Sequence, residues 1–180
     1  MFIKKIIAVG FLLALMILPS MSAEAAKPIV AVLPFNDQSP RKGSADNQAA
    51  LENAMDYVTT ALGHTNKFQM LTRTDIAPIL DSIKFDHSGL VDPATAAQYG
   101  KMIGAQYIVV GTVTGLGSKG RDMLAHLSLR MIKVETAEIY LSGRGKGKSK
   151  GDPIDALEKA AKDALNGEMG MLTMMRNSGK

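Results

Sequence analysis

The 180-residue chain contains no cysteine and no tryptophan, and only 5% of its residues are aromatic. Without cysteine there is no disulfide framework, so we expect the apolar core alone to hold the fold together, and we expect no lipid on an N-terminal cysteine. The scarcity of aromatic rings argues against a surface that stacks sugars or bases, and hence against nucleic acid as a partner. What the chain does have is 46% hydrophobic residues, enough for one domain with a substantial core.

The first 25 residues have the pattern of a secretory signal peptide. Lys4 and Lys5 form a positive start, residues 6–18 are an almost unbroken apolar run, and Ala23 and Ala25 are the small residues that signal peptidase needs. A retained membrane anchor is the alternative, but the run is shorter than the roughly 20 residues of a spanning helix. We therefore expect a signal peptide at 1–25, cleaved after Ala25, and an exported domain at 26–180.

Apolar periodicity and capping residues predict an α/β domain. Short strands are expected at 29–33, which reads as buried on both faces, and at 68–71. Four helices are expected: from Ser44 or Asp46 to Leu62, over 75–83 with Thr74 as N-cap and Pro78 near the first turn, from Asp92-Pro93 to Ile103, and from Asp152-Pro153 onward.

Three further strand-like runs, at 107–114, 124–134 and 138–148, lie between the last two of these helices. In the second run apolar residues alternate with Ser128 and Arg130, which is typical of a strand with one buried face. The short connections indicate an antiparallel meander. The expected fold is a single α/β domain, whose mixed sheet ends in this C-terminal antiparallel meander and is flanked by helices.

Several short segments follow one another in a recognisable order: 27–35 (KPIVAVLPF), 68–73 (FQMLTR), 80–97, 99–113 (YGKMIGAQYIVVGTV) and 134–140 (VETAEIY). Together they resemble the CsgG family of curli production and assembly components, and the related penicillin-binding-protein activator LpoB. The resemblance covers nearly all of the chain after residue 25. It implies a non-enzymatic periplasmic α/β domain that works by protein–protein contact.

The chain departs from the curli secretion channels of this family in two respects. Those channels are lipoproteins, whereas this chain has no cysteine to acylate. They also insert long amphipathic hairpins into the outer membrane, and each spanning strand needs about 9–11 alternating residues. The connection at 114–122 is too short for such a pair, so we expect the domain without transmembrane hairpins.

Two glycine-containing motifs match nucleotide-binding patterns in their residue spacing but not in the secondary structure expected around them. Gly115, Gly117 and Gly120 have the spacing of a dinucleotide fingerprint, but they precede a strand rather than a helix, which favours a Gly-rich hairpin loop. Gly147-Lys148-Ser149 ends like a phosphate-binding loop without its leading glycine. We expect no cofactor.

No metal site or catalytic group is expected either. The histidines are scattered without a second ligand at suitable spacing, at His64, His87 and His126. The carboxylates of the middle region could in principle form an acid–base pair; they are Asp75, Asp81, Asp86 and Asp92. Two of them, Asp75 and Asp92, lie at predicted helix starts, and no nucleophile stands out.

Four cations alternate with small residues near the C-terminus: Arg144, Lys146, Lys148 and Lys150. In an extended segment all four side chains point to the same side. One interpretation is a strip that binds an anionic partner, such as lipopolysaccharide, lipid headgroups or an acidic protein face. The other is a strand edge whose charges prevent edge-to-edge aggregation. The two interpretations are compatible, and the chain's net charge of +4 suits the first.

Two further regions are candidate partner contacts. Arg73 corresponds to an arginine in the family pattern; the alternative is a salt bridge to Asp75 or another carboxylate. Met171, Met174 and Met175 crowd the end of the last helix, where flexible methionines suit a docking surface. Packing in the core or a frayed tail is the alternative.

The expected function is that of a non-enzymatic CsgG-like protein of the periplasm, peripheral at most at the outer membrane, in curli-type assembly or secretion. The partners considered are envelope proteins of the secretion or peptidoglycan-synthesis machinery, a second copy of the chain in a homo-oligomer, and an anionic envelope surface. An LpoB-like activator of a peptidoglycan synthase and a self-assembling structural envelope protein remain as alternatives.

Overall fold

A computed structural model describes residues 26–40, 44–83, 92–167 and 170–177. The predicted signal peptide lies outside the described residues, and so do His87 and Asp86. No helix in the described ranges has both the length and the apolar character needed to cross a membrane.

The described chain forms one mixed α/β domain around a six-stranded sheet, as predicted. Its strands are β1 (Ile29–Val32), β2 (Asn36–Asp37), β3 (Gln69–Leu71), β4 (Tyr107–Lys119), β5 (Asp122–Lys133) and β6 (Glu138–Ser149). Its helices are α1 (Ala45–Gly63), α2 (Arg73–Ser82), α3 (Pro93–Ile103), α4 (Pro153–Asn166) and α5 (Met171–Asn177). The two-residue β2 and the separate α5 are additions to the predicted element order.

The sheet has a parallel half and an antiparallel half, and its order is β3-β1-β4-β5-β6, with β2 beside β4. Strand β1 pairs in parallel with β3 and β4. From β4 onward the pairing is antiparallel, so the predicted meander is confirmed. Strand β6 is therefore the outer strand of the meander.

Each face of the sheet carries its own apolar core. Helices α1, α4 and α5 cover one face, where they bury side chains such as Val32, Val109 and Leu129. Helices α2 and α3 cover part of the opposite face, over Ile108 and Ile132. Among the described residues, the second face is covered only over its parallel half and the adjoining end of the meander. The polar stretch of β5 and β6 is not covered by any described helix.

Most predicted helix starts are confirmed, but the start of α2 is not. Asp92 and Asp152 are N-caps followed by proline, and Ser44 caps α1. Helix α2 begins earlier than predicted, because its N-cap is Thr72, whose side chain forms a reciprocal capping box with Asp75. Consequently Pro78 lies in the second turn rather than the first.

The prediction of a loop at 114–122 is also wrong, because most of this segment is strand. Strand β4 continues through the glycine-rich segment to Lys119 and stays paired with β5 up to Asp122. Only the turn at Gly120, which has a φ of +67°, remains of the expected hairpin loop. At the other end of the chain, the last helix was predicted to continue from Asp152-Pro153 into the methionines. It ends at Asn166 instead, and α5 follows as a separate helix.

Candidate interaction surface on the outer strand

Strand β6 presents two chemically different faces, and burial alternates along it without interruption from Leu141 to Ser149. On the inner face, helix α4 lies against Gly143, Gly145 and Gly147. A Cβ atom at any of these glycines would overlap a backbone oxygen of the helix, at Ala164, Ala160 and Ala156 respectively. The glycines therefore let the helix backbone approach the strand directly.

The other face of β6 carries the predicted cations. Arg144, Lys146 and Lys148 are all exposed, and Lys150 follows just beyond the strand end, also exposed. Because alternate residues of a strand are about 6.8 Å apart, the three strand cations form an evenly spaced row. We call Arg144, Lys146, Lys148 and Lys150 the basic strip.

The neighbouring strand β5 adds polar residues to the same open face. In the antiparallel register, Ser128 lies opposite Arg144, and His126 lies opposite Lys146. Arg130 is on this face as well, two residues along from Ser128. His126 and Arg130 were not among the predicted site residues; the apolar–polar alternation of β5, read together with that of β6, is the signal that could have found them.

The excess positive charge of the chain is concentrated around this surface. Residues 111–151 contain eight Lys and Arg against three Asp and Glu, whereas the remaining 139 residues contain thirteen against fourteen. The meander thus carries a net charge of +5, and the rest of the chain is nearly neutral. A field of one sign over one part of the surface attracts anionic partners and raises their rate of association.

Two carboxylates contact the basic strip. The ammonium group of Lys148 forms an ion pair with Asp122, with an Nζ–Oδ2 distance of 2.7 Å. The backbone N–H of Lys146 donates a hydrogen bond of 3.0 Å to Oδ2 of Asp163, which reaches the strand from α4. This second contact involves the strand edge rather than a side-chain cation.

Arg73, a predicted partner contact, is held in an ion pair. Its guanidinium lies 2.9 Å from Oε2 of Glu52 on α1, and both side chains are about half exposed. The hydrogen bond from Arg73 lowers the pKa of the Glu52 carboxyl and raises that of the guanidinium. The salt-bridge interpretation thus matches the structure, with Glu52 as the partner; Asp75 is instead engaged in the capping box of α2.

The Arg73–Glu52 pair lies at a groove between α1 and α2. The groove has a volume of about 440 Å³, and Phe35, Leu51 and Ile76 are among its apolar lining residues. Arg73 is far along the sheet order from the basic strip, because it follows β3 at one side of the sheet whereas β6 lies at the other. The structure does not bring the two predicted contacts together.

The predicted methionine surface is mostly inside the protein. Met171 is fully buried and Met175 is 6% exposed, both in the core that α4 and α5 share with the sheet, and Met174 packs partly buried against it. This arrangement corresponds to the core-packing alternative. An exposed docking role for Met171 would require α5 to leave the sheet.

Two carboxylates of the middle region have local structural partners. Thr72 and Thr95 hydrogen-bond to Asp75 and Asp92, and these bonds lower the pKa of both carboxyls. His64 is the C-cap residue of α1. Within the described ranges there is no group of three His, Cys, Asp or Glu residues that could hold a metal ion.

Comparison with known proteins identifies the family. The model described as "Curli production assembly/transport component CsgG" matches residues 13–124. This is more than half of the chain, and the chain belongs to the CsgG family. The match ends within β5, so the basic strip lies beyond the matched residues.

Solved structures show related folds at low sequence identity. Lipoprotein GNA1162 from Neisseria meningitidis is 12% identical, with a TM-score of 0.53, over 84% of this chain and 96% of that chain. LpoB from E. coli is 20% identical, with a TM-score of 0.50, over 67% and 56%. The LpoB C-terminal domain from Salmonella enterica is 18% identical, with a TM-score of 0.48, over 69% and 86%. No curated protein matches the chain.

Proposed function

We propose that this chain is a non-enzymatic, exported envelope protein that works by protein–protein contact in assembly or secretion at the bacterial outer membrane. Its contact surface is the basic strip together with the polar residues beside it on β5. Membership of the CsgG family supports the envelope role, and the sequence pattern of residues 1–25 supports export. The observation that carries the surface assignment is the division of β6 into a glycine face and a cation face.

Packing places different requirements on the two faces of β6. Packing of α4 requires glycine at alternate positions, because any side chain there would collide with the helix backbone. Packing does not require cations at the other positions, although cations there also protect a strand edge against aggregation; adjacent like charges on one face repel each other. A strip that costs stability and is not needed for packing is best accounted for by an anionic partner.

The surface suits a partner protein better than it suits another copy of the same chain. Two basic strips facing each other would place cations against cations, which opposes association. A self-assembling structural role through this face is therefore disfavoured. Activation of a peptidoglycan synthase remains the alternative within the same class, because the chain shares its fold with LpoB.

Site-specific photo-crosslinking in bacterial cells tests the proposal. A photoreactive amino acid at Ser142, which is exposed beside the basic strip, would be activated in the wild-type chain and in R144E/K146E/K148E. A matched control, K67E/K101E/K162E, makes the same charge change at three exposed lysines outside the meander.

The proposal predicts an adduct with an envelope protein that is lost in the strip variant and kept in the control. An adduct with secretion or assembly machinery supports the stated function, whereas one with a peptidoglycan synthase selects the activator alternative. Equal adduct yields in the two variants, or no adduct in the wild type, would contradict the proposed surface.

A further inference from the structure

The outer edge of β6 is available for strand pairing. The strand is twelve residues long, and within the described part of the chain it pairs with β5 and with no other strand. An edge of this length presents a row of backbone N–H and C=O groups that can pair with another extended chain. Exposed edges of this kind are used for peptide recognition by strand addition.

The hydrogen bond at Lys146 shows which backbone groups point outward. Its N–H donates to Asp163 instead of to β5, so this residue faces the open side of the ladder. In an antiparallel pair, inward-bonding and outward-facing residues alternate. The outward backbone groups therefore belong to Arg144, Lys146 and Lys148, which are the same residues that carry the exposed cations.

The hydrogen bond to Asp163 also shows which kind of group can bind at this edge. A carboxylate oxygen already lies at the position that the carbonyl oxygen of an added strand would occupy. An incoming strand would displace Asp163 from the N–H of Lys146. The contact therefore acts as an internal competitor that weakens pairing at the middle of the edge without closing either end.

We propose that the edge of β6 takes up an extended acidic segment of a partner protein as an additional strand. The segment pairs its backbone with Arg144, Lys146 and Lys148 and places acidic side chains, at every second position, beside their cations. This inference rests on the proposed function for the existence of a partner, and it adds the mode of binding and the chemistry of the partner.

Charge complementarity selects this occupant over a second copy of the chain. If two β6 strands were paired, Arg144, Lys146 and Lys148 would lie against like charges, and directly opposed like charges destabilise a strand pair. Acidic side chains at the same positions give favourable cross-strand pairs instead. The buried glycines of the other face add no side chains to oppose the segment there.

A labelled peptide of about ten residues, within the usual range of strand lengths, serves as the probe. It carries Glu at every second position with Thr between, and the control peptide has the same composition with the Glu residues in one block. Fluorescence anisotropy with the full chain measures both affinities. We expect the alternating peptide to bind about tenfold more tightly, since only it can pair every Glu with a strip cation while its backbone stays in register.

Proline substitution separates strand pairing from charge. Proline removes the N–H and is tolerated at an edge position whose N–H faces solvent, so R144P should keep the pairing of β6 with β5. R144A removes the same charge and keeps the N–H. We expect R144P to bind the alternating peptide about tenfold more weakly than R144A, with both variants retaining the circular dichroism spectrum of the wild type.

Substitution of Asp163 should strengthen peptide binding, where R144P weakens it. D163A frees the N–H of Lys146, and we expect about fivefold tighter binding of the alternating peptide, the value of one hydrogen bond. Equal binding of the two peptides, or equal binding by R144P and R144A, would overturn the inference. Self-association of D163A without improved peptide binding would also overturn it, because the occupant would then be a second copy.

These results are separable from a failure of the proposed function. If the crosslink at Ser142 is lost in R144E/K146E/K148E but is equal in R144P and R144A, the basic strip is the contact surface and strand addition is wrong. If the crosslink is unaffected by all three variants, the proposed function itself has failed.

Discussion

The two faces of β6 obey different constraints although their residues alternate along a single strand. On the inner face, Gly143, Gly145 and Gly147 touch the backbone of α4, and no other residue type fits there. On the outer face, Arg144, Lys146 and Lys148 are exposed to solvent, where nearly any polar residue would fit. Packing therefore explains the glycines but does not explain the cations.

This contrast separates stability from function along one strand. Substitutions on the glycine face should damage folding, and substitutions on the cation face should damage binding. The following predictions test that separation, beginning with the largest expected effect on stability.

Gly145→Ala should destabilise the protein by about 3 kcal/mol, since its Cβ would overlap the backbone oxygen of Ala160 and α4 would have to move. Gly117→Ala is the matched control, because a Cβ there meets no atom within 4 Å, and it should stay within about 0.5 kcal/mol of wild type. Urea denaturation measures both. Equal midpoints would show that β6 and α4 are not packed as described.

Met171→Ala should cost about 2–3 kcal/mol, because a fully buried methionine leaves a cavity in the core. Met102→Ala, at a side chain that is 59% exposed, should change the free energy of unfolding by less than about 0.5 kcal/mol. Thermal unfolding of the two variants provides the measurement. A Met171→Ala protein as stable as wild type would restore the exposed docking interpretation of this segment.

Replacing the strand cations by glutamine, in R144Q/K146Q/K148Q, should change the free energy of unfolding by less than about 1 kcal/mol. The ion pair of Lys148 with Asp122 is solvent-exposed, and such pairs contribute little. Urea denaturation at low and high salt is the appropriate measurement. A large loss of stability would mean that the cations are structural, and the comparison of the two faces would fail.

Acid should weaken the region around α2 and α3 through its carboxylates. The pKa values of Glu52, Asp75 and Asp92 are lowered by hydrogen bonds from Arg73, Thr72 and Thr95. Their contribution is complete above the ordinary carboxyl range and is lost as the pH falls through the lowered values. Stability measured from neutral pH down to about pH 3 should decline less steeply in E52Q/D75N/D92N than in wild type. Identical slopes would contradict this assignment.

Local signals were sufficient to predict much of the fold. The dipeptides Asp92-Pro93 and Asp152-Pro153 give helix starts from a capping side chain and a fixed φ angle, and the structure confirms both. The alternation in β5 likewise gave the buried face of the meander. In each case the residues that decide the structure are neighbours in sequence.

Not every failed prediction has the same cause. The start of α2 was readable locally, because Thr72 and Asp75 have the spacing of a capping box, whereas Ala77, three residues after Thr74, has no side chain to complete one. Elsewhere, contacts distant in sequence decided the structure. Gly115 and Gly117 have low strand propensity, yet pairing with β5 keeps this segment extended. For the basic strip, the alternation was visible, but the reason for its glycines appears only when α4 is seen against them.

The crosslink at Ser142 shows whether the cation face of β6 binds a partner, when its yield is compared between R144E/K146E/K148E and K67E/K101E/K162E. Both variants make the same change in net charge, and only the first alters the cation face of β6. We expect the adduct with the envelope partner to disappear in the first variant and to persist in the second. Persistence of the adduct in both would contradict the proposed surface, since the cations of β6 would then not be the contact surface.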